Sequence, residues 1–112
     1  MSAPVLNRKL VLEDPVQVPD GAGGFNETWV ALGTLWAEVK AGTGQEKAGE
    51  FITVSKVPYR ITVRAAPYGA PSRPKPEQRF REGMRLFRIK AVTERDPKAQ
   101  YLTCFAYEEV SS

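Results

Sequence analysis

The chain has 112 residues, 42% of them hydrophobic and 26% charged, with a net charge of +3. That suits one domain around a single core, too short for two, and the balance speaks against wholesale disorder. With one cysteine and no histidine, an internal disulfide, the usual metal sites and histidine-based general-base catalysis are all excluded.

No apolar run reaches the length of a membrane span, and the opening MSAPVLNRKL carries no hydrophobic signal region, so the sequence predicts a chain made in a cytoplasm with no membrane partner. Between Arg73 and Arg95 basic residues outnumber acidic ones. Such a bias permits contact with nucleic acid or an acidic protein without demanding either.

In chain order, residues 8–14 read as a first strand, with Leu10 and Leu12 on one face and Lys9, Val11 and Glu13 on the other. Pro15 cannot donate to a ladder, so the run either ends there or continues as an edge through Val16 and Val18. Pro19, Asp20, Gly21, Gly23 and Gly24 form a turn cluster at which the chain reverses. Residues 25–32 read as the returning strand, Gly33 as a bulge or kink, and residues 34–40 as its continuation, with Leu35, Ala37 and Val39 alternating against Trp36, Glu38 and Lys40.

Residues 59–64 alternate as cleanly, Tyr59, Ile61 and Val63 against Arg60, Thr62 and Arg64. Between these two strands lies the insert 41–57, with Gly42, Gly44 and Gly49, far longer than a hairpin turn needs. Gln45, Glu46, Lys47 and Ala48 suit a helical turn and Phe51, Ile52, Thr53 and Val54 suit a strand, so its conformation stays open.

The stretch 66–82 carries Pro67, Pro71, Pro74 and Pro76 interleaved with Arg73, Lys75, Arg79 and Arg81. Proline at that density predicts an extended, polyproline-like arm projecting from the body, with those four basic residues as an interface. The last third reads as a hairpin. Residues 86–93 place Phe87, Ile89 and Ala91 against Arg88 and Lys90, Asp96, Pro97 and Lys98 turn the chain, and residues 101–109 return. Both faces of this last strand are largely apolar: Tyr101, Thr103, Phe105 and Tyr107 on one, Leu102, Cys104 and Ala106 on the other. It is covered on both sides within the fold, or on one by a partner. The expected fold is all-β: a small antiparallel β-barrel or sandwich of five to six strands with a long inserted loop and a Pro-rich arm.

Catalytic readings fail one by one. Glu46 and Glu50 pair only if the insert is helical, and with Lys47 among them they read as a solvated loop. Cys104 reads as a small buried apolar residue, not a nucleophile. The PDGAGG cluster lacks the lysine and the following helix of a phosphate-binding loop. The sequence therefore predicts no enzyme and no cofactor. A free-standing nucleic-acid-binding barrel, stacking bases on Trp29, Trp36 and the tyrosines, is the second class, set against the reading of these aromatics as core or interface. An assembly role explains three features at once: the oversized insert, the rigid arm, and a terminal strand whose Tyr101, Phe105 and Tyr107 would face a neighbouring subunit.

The order of motifs resembles the head-tail joining (stopper or head-closure) family of tailed bacteriophages. Asp20, Gly21 and Gly24 are followed by Glu27, Thr28 and Trp29, then Leu35 to Val39, then Gly44, Gln45 and Glu46. Residues 59–64, Gly83 to Arg85, Phe87 to Ile89, and Tyr101 to Cys104 before Glu108 and Glu109 complete the pattern. The APYGAPSRPKPEQRFREG segment is longer than this family usually carries and looks like the head-tail connector version of alphaproteobacterial gene transfer agents. The resemblance implies a barrel that forms a homo-oligomeric ring, of six subunits in preference to twelve, in the neck of a phage-like particle assembled in the bacterial cytoplasm. It would sit below the portal and adaptor, close the channel around double-stranded DNA, and dock the tail terminator and tail tube. The family's channel loop corresponds to 41–57, with Gly42, Gly44, Gln45, Glu46, Lys47, Gly49, Glu50, Phe51 and Lys56. The neighbouring tail terminator ring is the alternative within the same class.

Overall fold

The computed structural model describes residues 3–42 and 56–109. Among these residues six strands form: β1 (Arg8–Pro19), β2 (Phe25–Ala41), β3 (Lys56–Arg64), β4 (Arg79–Glu82), β5 (Arg85–Glu94) and β6 (Tyr101–Glu109). Every pairing is antiparallel, and the sheet closes as a barrel in the order β1-β2-β3-β6-β5-β4. The expected all-β barrel is what the chain forms, with one strand that proline-rich composition concealed.

Alternation builds the interior. Leu10 and Leu12 of β1, Ala37 of β2, Ile61 and Val63 of β3, Phe80 of β4, Phe87 and Ile89 of β5, and Leu102 and Cys104 of β6 are all fully buried. Leu35, Val39 and Tyr59 pack on that cluster from the rim. Each of the buried leucine, isoleucine, valine and phenylalanine side chains contributes about 1.5–3 kcal/mol.

Two turns act as the sequence requires. The Asp20 carboxylate accepts from the Ala22 N–H at 2.7 Å and the Gly24 N–H at 3.0 Å, which holds its pKa below the usual carboxylate range. Gly21 and Gly23 supply φ of +82° and +86°. At the other hairpin Asp96 accepts from the N–H groups of Gln100 and Tyr101 at 3.0 Å, and Ala99 takes the left-handed angle.

Of the two courses open at Pro15, β1 takes the edge and runs on through Val16 and Val18 to Pro19, because beyond Glu13 it has no second neighbouring strand among the described residues and proline there removes no ladder bond on that edge. The irregularity expected at Gly33 is a bulge: Leu12 pairs with Gly33 and Glu13 with Ala31, leaving Leu32 as the extra residue. A second bulge between Ile89 and Ala91 reverses the faces of β5, so that Ala91 points out and Val92 packs on the core. The stretch 66–82 is not an extended arm. Ala70 and Arg73 donate backbone hydrogen bonds three residues back, the Arg73 guanidinium donates to the Ala66 carbonyl at 2.7 Å and stacks 3.8 Å over the Tyr68 ring, and Pro74 is buried. A polyproline helix has no such internal bonds, and here they fold the segment back onto the barrel. Its last residues are β4, paired on one side with β1 and on the other with β5.

Candidate functional site

One end of the barrel gathers the start of β1, the end of β2, the start of β3, the end of β4, the start of β5 and the end of β6. The insert leaves and re-enters the fold here. Its base is pinned by the Gly42 N–H, which donates to the Pro58 carbonyl at 2.8 Å just beyond the last β2–β3 pair, Ala41 with Tyr59.

At this mouth the inward-facing positions switch from apolar to charged. Arg8 precedes Leu10 on β1, Glu82 follows Phe80, Arg85 precedes Phe87, and Glu108 follows Ala106, each two residues along and hence on the same side of its strand. They meet around the rim, Arg8 with Glu82 from the adjacent β1 and β4 and Arg85 with Glu108 from the adjacent β5 and β6. Arg8 Nε donates to Glu82 at 2.7 Å; Arg85 grips Glu108 with Nε at 2.7 Å and Nη2 at 3.0 Å, and its Nη2 also donates to the Tyr59 hydroxyl at 3.2 Å. The Tyr59 ring stands edge-on to Phe87 with centroids 5.2 Å apart, so the charged layer rests directly on the aromatic top of the core.

The electrostatics follow from this pairing. Arg8 holds the Glu82 carboxyl below its ordinary pKa against the opposing effect of burial, and Arg85 does the same to Glu108. The Arg85 guanidinium is held still more firmly in its charged form by the Glu108 bond. The layer is therefore a permanent charged plug in which each ion has its counter-ion.

The outer wall of β6 is the second surface. Tyr101, Phe105 and Tyr107 all point outward there, Phe105 41% and Tyr107 38% exposed, with the Arg64 guanidinium 5.8 Å from the Tyr101 ring centre. Of the two coverings considered for this strand, the fold supplies only the inner one, over Leu102, Cys104 and Ala106. Phe105 pairs with Arg60 of β3 on one side and with Ala91 of β5 on the other.

A barrel whose ion-paired mouth carries both ends of a long insert, with an apolar stripe on its wall, is a shape for assembly, and the family comparison agrees. The phage head completion protein family model matches residues 1–110. The chain belongs to this family. It is also 62% identical to a chain in a solved structure of the virion of a native gene transfer agent particle, with a TM-score of 0.81, over 98% of this chain and 100% of that one. No curated protein matches.

In this head completion family member the residues expected to act lie in three places. Of the channel loop, Gly42 stands at the pinned base and Lys56 begins β3, while Gly44, Gln45, Glu46, Lys47, Gly49, Glu50 and Phe51 lie outside the described residues. Of the four basic residues at 73–81, Lys75 is exposed, Arg73 is spent on Ala66 and Tyr68, and Arg79 and Arg81 donate to Glu13 at 2.7 and 2.8 Å. Among the described residues no three metal-ligating side chains converge.

Sequence reasoning missed this last cluster. Glu13, 6% exposed on the outer side of β1, takes both arginines, and Arg79 also lies 4.0 Å over the Trp29 ring, with Arg88 5.2 Å from it. Burial disfavours the Glu13 carboxylate, but the bonds from Arg81 and Arg79 outweigh it and lower its pKa. Arg-x-Arg spacing was the available signal: it puts both guanidinium groups on one face of a strand, once the segment is read as a strand. The charged plug was equally hidden, because inward-phase charges at strand ends look like ordinary surface residues.

Proposed function

We propose that the chain is a structural, non-catalytic ring subunit of the head–tail connector in a gene-transfer-agent-like particle, where the ring closes the DNA channel and offers the tail its docking surface. The observation that carries this is the mouth. A long insert is mounted on a rigid, ion-paired end of a closed barrel, in a chain that matches the head completion family along nearly its whole length. A gate needs a moving segment on a base that does not move. The plug supplies the base, and the glycines at 42, 44 and 49 supply the backbone freedom for the loop.

In this reading the insert faces the channel and contacts double-stranded DNA, six copies complete the ring, and the other faces meet the adaptor and the tail terminator. The likeness to a gene transfer agent particle protein supports the setting: the neck of such a particle, assembled in a bacterial cytoplasm. The test is deletion of residues 44–55. The expected result is a folded subunit that still assembles, in particles that lose their DNA. Full DNA retention by that variant overturns the gate, and an image placing the chain beside the tail tube, away from the adaptor, identifies a tail terminator instead.

A further inference from the structure

β1 and β2 outrun the barrel. β1 meets β4 only across residues 11–13, and β2 meets β3 only from Ala37 onwards, so residues 14–19 and 25–30 continue as a two-stranded ribbon whose outer edges have no neighbouring strand among the described residues. The register places Val16, Val18 and Val30 on one side of this ribbon, the side that carries Leu10 and Leu12 into the core lower down. The core pattern thus continues where there is no core. Val16, Val18 and Val30 are 38%, 43% and 46% exposed. An isolated two-stranded ribbon is marginal in water, and exposed valines grouped on one side of it, here interleaved with Thr28 and Asn26, mark an interface.

Charge says what covers it. From residue 14 to residue 33 the chain has three acidic residues, Asp14, Asp20 and Glu27, and no lysine or arginine. Asp14, two residues before Val16 and paired with Val30, shares the valine side at the foot of the ribbon, where its Oδ1 accepts from the buried Gln78 Nε2 at 2.9 Å. On the opposite side of the barrel, three strands from β1 in either direction, the outer wall of β6 shows Phe105 and Tyr107 beside Arg60 of β3. A ribbon with Asp14 beside its valines and a wall with Arg60 beside its aromatics lie on opposite flanks of one molecule, the wall also carrying Glu38 and Glu94 around Phe105.

We infer that the ribbon of one copy docks on the β6 wall of the next, with Val16 and Val18 against Phe105 and Tyr107 and Asp14 toward Arg60. The two surfaces are different patches, so the contact is heterologous and repeats head to tail, the kind that generates a ring when its rotation closes. This deepens the ring reading, on which it rests, by naming the two surfaces that meet.

The test is a double variant, Val18→Cys with Phe105→Cys, treated with a short bis-maleimide both as purified chain at high concentration and in assembled particles. Both positions are exposed and the native Cys104 is fully buried, so the new thiols are the ones that react. A head-to-tail contact gives a ladder of trimers and higher bands from the double variant and at most dimers from either single variant. Asp14→Arg cuts the ladder several-fold, and Asp14→Arg with Arg60→Glu restores it. Dimers alone from the double variant, or a thiol at position 18 cross-linked only to a different protein of the particle, overturn the inference. Imaging separates this from the ring reading: a neck ring without a ladder removes the contact and leaves the ring, whereas a ladder from a chain absent from the neck removes the ring's place and leaves the contact.

Discussion

Gly42 and Pro58 touch at the base of the insert: the Gly42 N–H donates to the Pro58 carbonyl at 2.8 Å, and a Cβ placed on Gly42 would lie 3.2 Å from the Pro58 Cβ and 3.3 Å from its carbonyl carbon and oxygen. Two of those three atoms are backbone, which a strand cannot easily move. Gly42→Val is therefore expected to prise the base apart and to destabilise the fold by about 1–2 kcal/mol. Urea unfolding checks the cost. Limited proteolysis of the insert, faster in the variant, checks where the damage lies.

The Glu13 carboxylate is the ion-pair partner of both Arg79 and Arg81, and it is nearly buried. Glu13→Ala should cost about 2–3 kcal/mol, as expected when a hydrogen-bonded charge is removed from between its counter-ions. Because these contacts tie β1 to β4, the loss should appear in urea midpoints and in faster amide exchange of residues 79–82. A cost below about 0.5 kcal/mol, typical of an ordinary surface change, would show that the cluster holds nothing together.

The acid limb of the stability curve follows from Glu13, Glu82 and Glu108, all of which have lowered pKa values in the fold. A carboxylate whose folded pKa is depressed binds its proton more readily in the unfolded chain. Its contribution is thus complete above the ordinary carboxylate pKa of about 4.5 and disappears as pH falls through the folded value. Melting temperature should be level from neutrality down to that range and then drop. Glu108→Gln should start from a lower plateau and show a shallower acid limb.

Cys104 is fully buried in the core, and burial pushes its thiol pKa up to about 12. In native conditions it should resist maleimide and iodoacetamide, and it should react at once when the chain is unfolded in guanidinium. Reactivity should rise along the unfolding curve measured by circular dichroism, because thiolate formation requires opening the barrel. Rapid native labelling would mean that β6 separates from its neighbours without global unfolding.

The strands with clean period-two alternation were legible from the sequence: the runs around Leu10, Ala37, Ile61, Phe87 and Leu102 all place their apolar residues inward as expected. Where a bulge intervened the pattern misled, as at Lys90, after which Ala91 and Val92 exchange sides. β4 was lost because four residues are too few to establish a period, and the prolines upstream outweighed it. Those prolines bend rather than extend the chain here, a difference made by Arg73 on Ala66 and Tyr68, a contact that composition does not foretell. The charged plug was unreadable for a different cause. Arg8 and Glu108 are far in the chain from Glu82 and Arg85, so the set assembles only when the β5–β6 hairpin forms and β1 closes on β4.

The seam between β1 and β4 is three residue pairs long, while β1 and β2 share twelve and β3 and β6 share nine. A cylinder zipped by unequal seams unrolls at the shortest one. A transient split there would turn the barrel into a curved open sheet and part Arg8 from Glu82, while the Arg85–Glu108 pair on β5 and β6 and the Gly42–Pro58 bond between the ends of the insert stay closed. The molecule thus carries a built-in line of weakness along one side of its wall, where it can flex without loosening the hairpin of β5 and β6.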